Sequence, residues 1–160
     1  MKRHENSEIR YFKSYSDDFV QSKNQSYRLP EDYSWVQSGI FSRMLSRCLY
    51  LLAELIAFPY CRLALHARVE NRTVLRRCAD TGCFLYGNHT QPVGDAFLPI
   101  WALFPKRVYV VASPANLGVP ILGPLLPLLG ALPVPETIGG LRMLDQAVRL
   151  RVGNGSCVAV

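Results

Sequence analysis

Cys83-Phe84-Leu85-Tyr86-Gly87-Asn88-His89-Thr90-Gln91-Pro92-Val93-Gly94-Asp95 is the stretch whose reading decides the fold. It opens on a short apolar run that stops at Gly87, as a strand buried on both faces would. Pro92 and Gly94 make the middle irregular. Asp95 then stands where it can cap a helix over residues 96–104, with Pro99 tolerated in the first turn. Further along, residues 107–112 (Arg-Val-Tyr-Val-Val-Ala) predict the next strand. Residues 108–135 carry no charge across 28 positions, a length that hydropathy alone reads as membrane-spanning. Six prolines and three glycines within that run exclude one continuous helix. It reads instead as strand, broken helix (117–129) and strand (131–134). Thr137 or Gly139 then begins a helix through Val152, with Leu141, Leu144, Val148 and Val152 on one face, and Gly153-Asn154-Gly155 stops it. Residues 156–160 start another strand. This alternation predicts an α/β fold, a mostly parallel sheet flanked by helices.

Upstream, residues 65–70 (Leu-His-Ala-Arg-Val-Glu) alternate apolar and polar, as a half-buried strand would, with His66 as an exposed strand residue and not a ligand. Residues 39–58 predict an N-terminal amphipathic helix. Leucines, Met44, Ile56 and Phe58 give it a wide apolar face, and Arg43, Ser46, Arg47, Tyr50 and Glu54 a narrow polar stripe. Pro59 kinks or ends it. Arg47, Glu54 and Arg62 make a poor spanning helix, so it lies in a membrane interface or packs on the domain. An ordinary core helix with its apolar face inward is the competing reading. Residues 1–34 read as a polar N-terminal extension with some helix around 9–20, and residues 35–160 as the α/β domain.

Composition narrows the class. A chain of 160 residues with 49% hydrophobic content can bury a real core. Five cysteines form no CxxC pair, which fits buried thiols in a reducing compartment and argues against a zinc site; no metal is expected. The first 34 residues lack an apolar stretch, so no signal peptide is expected, and the acceptor patterns at Asn71 and Asn88 read as chance. The net charge of +6 is uneven: residues 35–78 hold seven arginines against Glu54 and Glu70. Basic charge beside apolar surface suits an anionic membrane face. Nucleic acid is the competing partner, but the arginines are spread out, with little aromatic interleaving and no nucleic-acid motif, so none is expected.

His89 and Asp95 are the candidate chemistry. An imidazole removes a proton from a hydroxyl, and a nearby carboxylate fixes its tautomer and stabilises the imidazolium. Five residues separate the pair. Pro92 and Gly94 supply irregular backbone between them, so the pair is expected on a loop.

Within residues 35–160 the chain resembles the glycerolipid acyltransferases, enzymes similar to 1-acylglycerol-3-phosphate acyltransferase. Their first motif is Asn-His, four residues, then Asp; here Asn88-His89 reaches Asp95 after five. The resemblance implies transfer of a fatty acyl group from acyl-CoA or acyl-carrier protein, as co-substrate, to a glycerophospholipid-type hydroxyl, with no bound cofactor. His89 would be the general base, oriented by Asp95, and Asn88 would shape the loop on the substrate side. A second motif ends a Gly-led strand in an Arg that holds the acceptor phosphate. Gly130-Ala131-Leu132-Pro133-Val134-Pro135-Glu136 matches it, with Glu136 in the Arg position. A carboxylate repels phosphate, so Arg142 or another Arg would take that role. A third motif, Phe-Pro-Glu-Gly, would follow the strand ending at Val160. The resemblance therefore implies the N-terminal part of such a domain, weakly active or inactive alone, at the cytoplasmic face of a membrane as a peripheral or monotopic protein. Two alternatives remain open. One is a non-catalytic, membrane-associated fragment. The other is a serine hydrolase of α/β class, which would need a Gly-x-Ser-x-Gly elbow the chain lacks.

Overall fold

The computed structural model describes residues 26–77, 80–88 and 94–160. The helix expected near 9–20, Cys78 and His89 lie outside these residues. Helix α1 (Ile40–Pro59) leads into a π-helical turn (Tyr60–Ala64) and a short helix α2 (Arg72–Arg77). Then follow β1 (Cys83–Leu85), α3 (Gly94–Leu103) and β2 (Val108–Ala112). Two 3-10 turns (Pro114–Gly118 and Gly123–Leu125) and α4 (Leu126–Leu129) lead to β3 (Ala131–Pro133), α5 (Ile138–Gly153) and β4 (Cys157–Ala159).

All strand pairs are parallel, in the order β1-β4-β2-β3. The chain crosses from β1 over to β2 in one direction and from β3 back to β4 in the other. Right-handed crossovers that run in opposite directions must place their helices on opposite faces. Two cores meet that requirement. On one face Val108, Cys157 and Ala159 pack with Tyr50, Ala57 and Cys61 of the first helical stretch and with Ile100, Trp101 and Leu103 of α3. On the other, Tyr109, Leu132 and Val158 pack with Trp35 and with Ala147 of α5, against which Leu29, Tyr33, Leu144, Val148 and Val152 lean. β4 lies between two strands and is buried throughout, as its uniformly apolar sequence demands. The edges of the sheet are β1 and β3.

Local chemistry sets the element ends. Thr137, not Gly139, starts α5: its hydroxyl accepts from the Gly140 N–H at 3.1 Å. Leu141 stays exposed, and buried Ala147 takes its expected place in the packed face. Gly130 closes α4 at φ 105°, a left-handed cap that lets the chain turn directly into β3. A Cβ on Gly123 would come within 1.9 Å of the Leu117 carbonyl oxygen, so only glycine lets the two 3-10 turns fold on each other.

One expectation needs correction. Residues 65–70 are not a strand: no ladder forms there, although burial does alternate, with Leu65, Ala67 and Val69 half-buried and His66, Arg68 and Glu70 exposed. The alternation reports one-sided packing on the core, which the segment achieves without a ladder. Pro59 ends the α-type pairing of α1, as expected of a proline that kinks or ends a helix, though the chain stays helical through Ala64. It has no N–H for the Leu55 carbonyl, and the chain answers by widening into π-type pairing, Leu65 N–H to Tyr60 oxygen at 3.0 Å. The stop comes at His66, whose φ of 49° is left-handed and whose next residue, Ala67, donates to the Cys61 carbonyl at 2.9 Å.

The largest surprise is which way α1 faces. Its buried residues are Ser46, Tyr50, Ala53 and Ala57, with Cys61 continuing the row into the π turn. These recur at three- and four-residue spacing, a narrow seam that allows close approach to α3 and α4. Phe41, Met44, Leu51, Leu52, Leu55, Ile56 and Phe58 face outward. The core-helix reading, with the apolar face inward, is overturned: part of the polar stripe is the packed side.

Candidate active site

The site is built where β1 gives way to α3. Beyond Leu85 the chain stays tied to the end of β4, through Val160 N–H to Leu85 oxygen at 2.9 Å and Gly87 N–H to Val160 oxygen at 3.3 Å. Tyr86, Gly87 and Asn88 are exposed at this carboxyl edge of the sheet. Residues 89–93 are not among those described, and His89 falls within them. The chain resumes at Gly94, the first residue of α3, which begins two residues before the expected 96. Asp95 therefore sits in the first turn of the helix, half-buried, at the end where the helix dipole favours a carboxylate. Pro99 lies in the helix interior and has no N–H for the Asp95 carbonyl, which loosens this first turn. In parallel α/β sheets the crevice outside the carboxyl ends of the strands is where ligands bind. Asn88 and Asp95 stand on either side of residues 89–93 in the chain.

Arg142 lies on the exposed side of α5 and makes no hydrogen bond or ion pair among the described residues. Glu136, just past β3, is not a bare negative charge: Arg28 forms an ion pair with it, both side chains being largely exposed. Arg28 lies in the segment read from sequence as a polar extension, so nothing in its neighbours signalled this contact.

A second polar cluster lies at the opposite, amino-terminal edge of the sheet. The Arg107 guanidinium donates to the Ser46 hydroxyl at 2.6 Å and to the Leu128 carbonyl at 3.0 Å, and lies 4.8 Å from the Tyr50 ring centre and 5.1 Å from that of Tyr109. Ser46 also donates to Leu128, at 2.5 Å. The Tyr50 oxygen accepts from the Val108 N–H at 2.7 Å. Burial pushes the Tyr50 phenol up to about 12, with the Val108 hydrogen bond and Arg107 opposing the shift and Glu54 adding to it. Burial also raises the Glu54 carboxyl, against the pull of Arg107, and the Cys61 thiol. Arg151 lies 4.5 Å from the Tyr109 ring centre and donates to the Trp35 carbonyl at 3.2 Å. This cluster ties α1, α4 and β2 together, and it explains why Ser46 and Tyr50 point inward. It lies away from the carboxyl edge and is structural.

Among the described residues no group of His, Cys, Asp and Glu is arranged to hold a metal ion. Cys48, Cys61 and Cys157 are thiols outside any disulfide. The Cys157 sulfur meets that of Cys83 at 2.8 Å across the β1–β4 pair. Comparison of the chain with protein-family profiles, with curated proteins and with solved structures finds no match in any of the three.

Proposed function

We propose that the chain is an O-acyltransferase of the phospholipid-synthesis type, working at the cytoplasmic face of a membrane as a peripheral or monotopic protein. Acyl-CoA or acyl-carrier protein supplies the fatty acyl group, and a (lyso)glycerophospholipid-type hydroxyl receives it. The observation that carries the reading is the position of Asn88 and Asp95: Asn88 lies beyond the carboxyl end of a parallel strand, and Asp95 is the carboxylate in the first turn of the next helix. His89 lies between them in sequence, six positions before Asp95.

In this mechanism neutral His89 accepts the proton of the acceptor hydroxyl as its oxygen attacks the thioester carbonyl. Asp95 accepts from the other ring N–H, which fixes the tautomer and stabilises the imidazolium. The tetrahedral intermediate then collapses, the C–S bond breaks, and the imidazolium returns the proton to the departing thiolate. No redox partner is required. Arg28 neutralises Glu136, so the edge near β3 does not repel a phosphate-bearing acceptor as the sequence alone implied.

The membrane half of the proposal rests on α1. The stretch Ile40–Ala64 is long and apolar enough to cross a bilayer by length and composition, and its large apolar side chains face away from the domain. Charges at Arg43, Arg47, Glu54 and Arg62 favour a helix lying in the interface. The same observation supports a second reading, a membrane-associated protein without catalysis. Transfer of labelled acyl groups from acyl-CoA to lysophosphatidate separates the two. With the chain extended by any natural downstream sequence, the account predicts transfer by the wild type and a loss of about 10²- to 10⁴-fold in His89→Ala, the range for removal of a general base. Equal rates in the two proteins would sink the catalytic reading and leave the second.

A further inference from the structure

We propose that Arg62, His66 and Arg68 form a binding site for a phosphate group. A cleft of about 300 Å³ opens beside the π turn and is lined by these three residues and Leu63. The backbone brings them together. The π turn carries Arg62 and Leu63, the left-handed residue His66 reverses the chain, and Ala67 is then held back against Cys61, so that Arg68 comes round to the same side. Neither arginine has a hydrogen bond or ion pair among the described residues, which distinguishes them from Arg28, Arg107, Arg149 and Arg151, all of which are engaged. Two exposed guanidiniums and an imidazole line one cleft with no carboxylate among its described lining residues, so the arginines' positive charge there is available to an anion. Guanidinium forks match the oxygens of phosphate. Leu63 in the lining, and exposed Leu55 and Phe58 on the preceding turns, set apolar surface next to this cationic cleft. The proposal stands independently of acyl transfer, since it involves neither His89 nor Asp95.

The test follows the His66 imidazole signals by NMR during titration of the full chain with inorganic phosphate, and with chloride at matched ionic strength. Saturable displacement by phosphate alone is expected. The affinity should fall about tenfold or more in Arg62→Gln/Arg68→Gln, the loss of two charge-assisted contacts. Arg62→Lys/Arg68→Lys should lie between, because charge survives and the fork does not. All these side chains are exposed, so thermal unfolding should be unchanged. The proposal is overturned if chloride acts as phosphate does, or if the glutamine variant binds like wild type. It is equally overturned if Arg43→Gln/Arg47→Gln, the same charge loss elsewhere on the helix, weakens phosphate binding as much.

A vesicle arm distinguishes the source of the group. Flotation with phosphatidylcholine vesicles is compared with and without phosphatidic acid. Enrichment on the acidic vesicles that the glutamine variant loses supports a lipid headgroup. Equal enrichment of both proteins, with the response to free phosphate intact, supports a soluble phosphate compound.

Discussion

Tyr50 shows how much one side chain carries here. Its ring fills the seam between α1 and the sheet, its oxygen accepts the N–H that opens β2, and its face supports Arg107. Replacing it by Phe keeps the ring but leaves the buried Val108 N–H unpaired, at a cost of about 1–3 kcal/mol, measurable by denaturant unfolding. The phenol also sets a pH limit. Burial raises both Tyr33 and Tyr50 from 10.0 to about 12, so the neutral forms are favoured in the fold. The stability they contribute is complete below pH 10 and is lost as pH rises from 10 through about 12, because the unfolded chain releases those protons first. Thermal unfolding followed across that window should show the decline, and it should be shallower in Tyr50→Phe. Little of this was legible in the sequence. Ser46 and Tyr50 read as members of a solvated stripe, because a polar residue on an amphipathic helix is assigned outward unless its partner is known. The partner, Arg107, lies 61 residues beyond Ser46.

Among the elements, α1 departs furthest from expectation. Its helical nature and its start were plain from the periodicity, but its orientation was not. A helix with small residues on one side and leucines on another usually buries the leucines, since their transfer from water contributes most. Here the small side packs, and the leucines face outward, where the proposed membrane contact would cover them. Leu55→Glu/Phe58→Glu should therefore cut partitioning onto phosphatidylcholine vesicles by tenfold or more, on the basis of about 1.5–3 kcal/mol for each buried side chain. The side chains are 71% and 62% exposed, so the change in unfolding free energy should stay within about 0.5 kcal/mol. A large loss of stability with unchanged flotation would return α1 to the role of a core helix. The β elements were easier to read. The runs around Cys83–Leu85, Val108–Ala112, Ala131–Pro133 and Cys157–Ala159 are short and apolar, and each forms a strand; β4 is buried throughout, whereas β1, expected to be buried, lies at an edge and leaves Phe84 48% exposed. The 65–70 segment misled for a related reason: alternation marks one-sided burial, and a ladder needs a neighbour that the pattern does not name. Gly123→Ala should prevent the two 3-10 turns from closing and markedly lower the melting temperature, as a Cβ there would meet the Leu117 backbone.

On the scale of the whole molecule, a four-stranded parallel sheet separates two cores and keeps its two polar clusters at opposite edges. The α/β class followed from alternating strand and helix signals, but the strand order did not, because insertion of β4 between β1 and β2 depends on contacts across the whole chain. The candidate site was legible in part. Asn88 and Asp95 lie at the carboxyl edge, as a strand–loop–helix reading of residues 83–95 implies. The pairing of Arg28 with Glu136 and the cleft of Arg62, His66 and Arg68 were not, since each joins residues through turns the sequence does not advertise. The central claim is that His89 and Asp95 act as one unit in acyl transfer, and a double-mutant cycle tests it most directly. Transfer from acyl-CoA to lysophosphatidate is measured for wild type, His89→Ala, Asp95→Asn and the double variant, each in the chain extended by any natural downstream sequence. The account predicts a large loss for each single variant and no further loss in the double, because an orienting carboxylate has nothing to orient once the imidazole is gone. Wild-type rates in His89→Ala, or losses that simply multiply in the double variant, would contradict it.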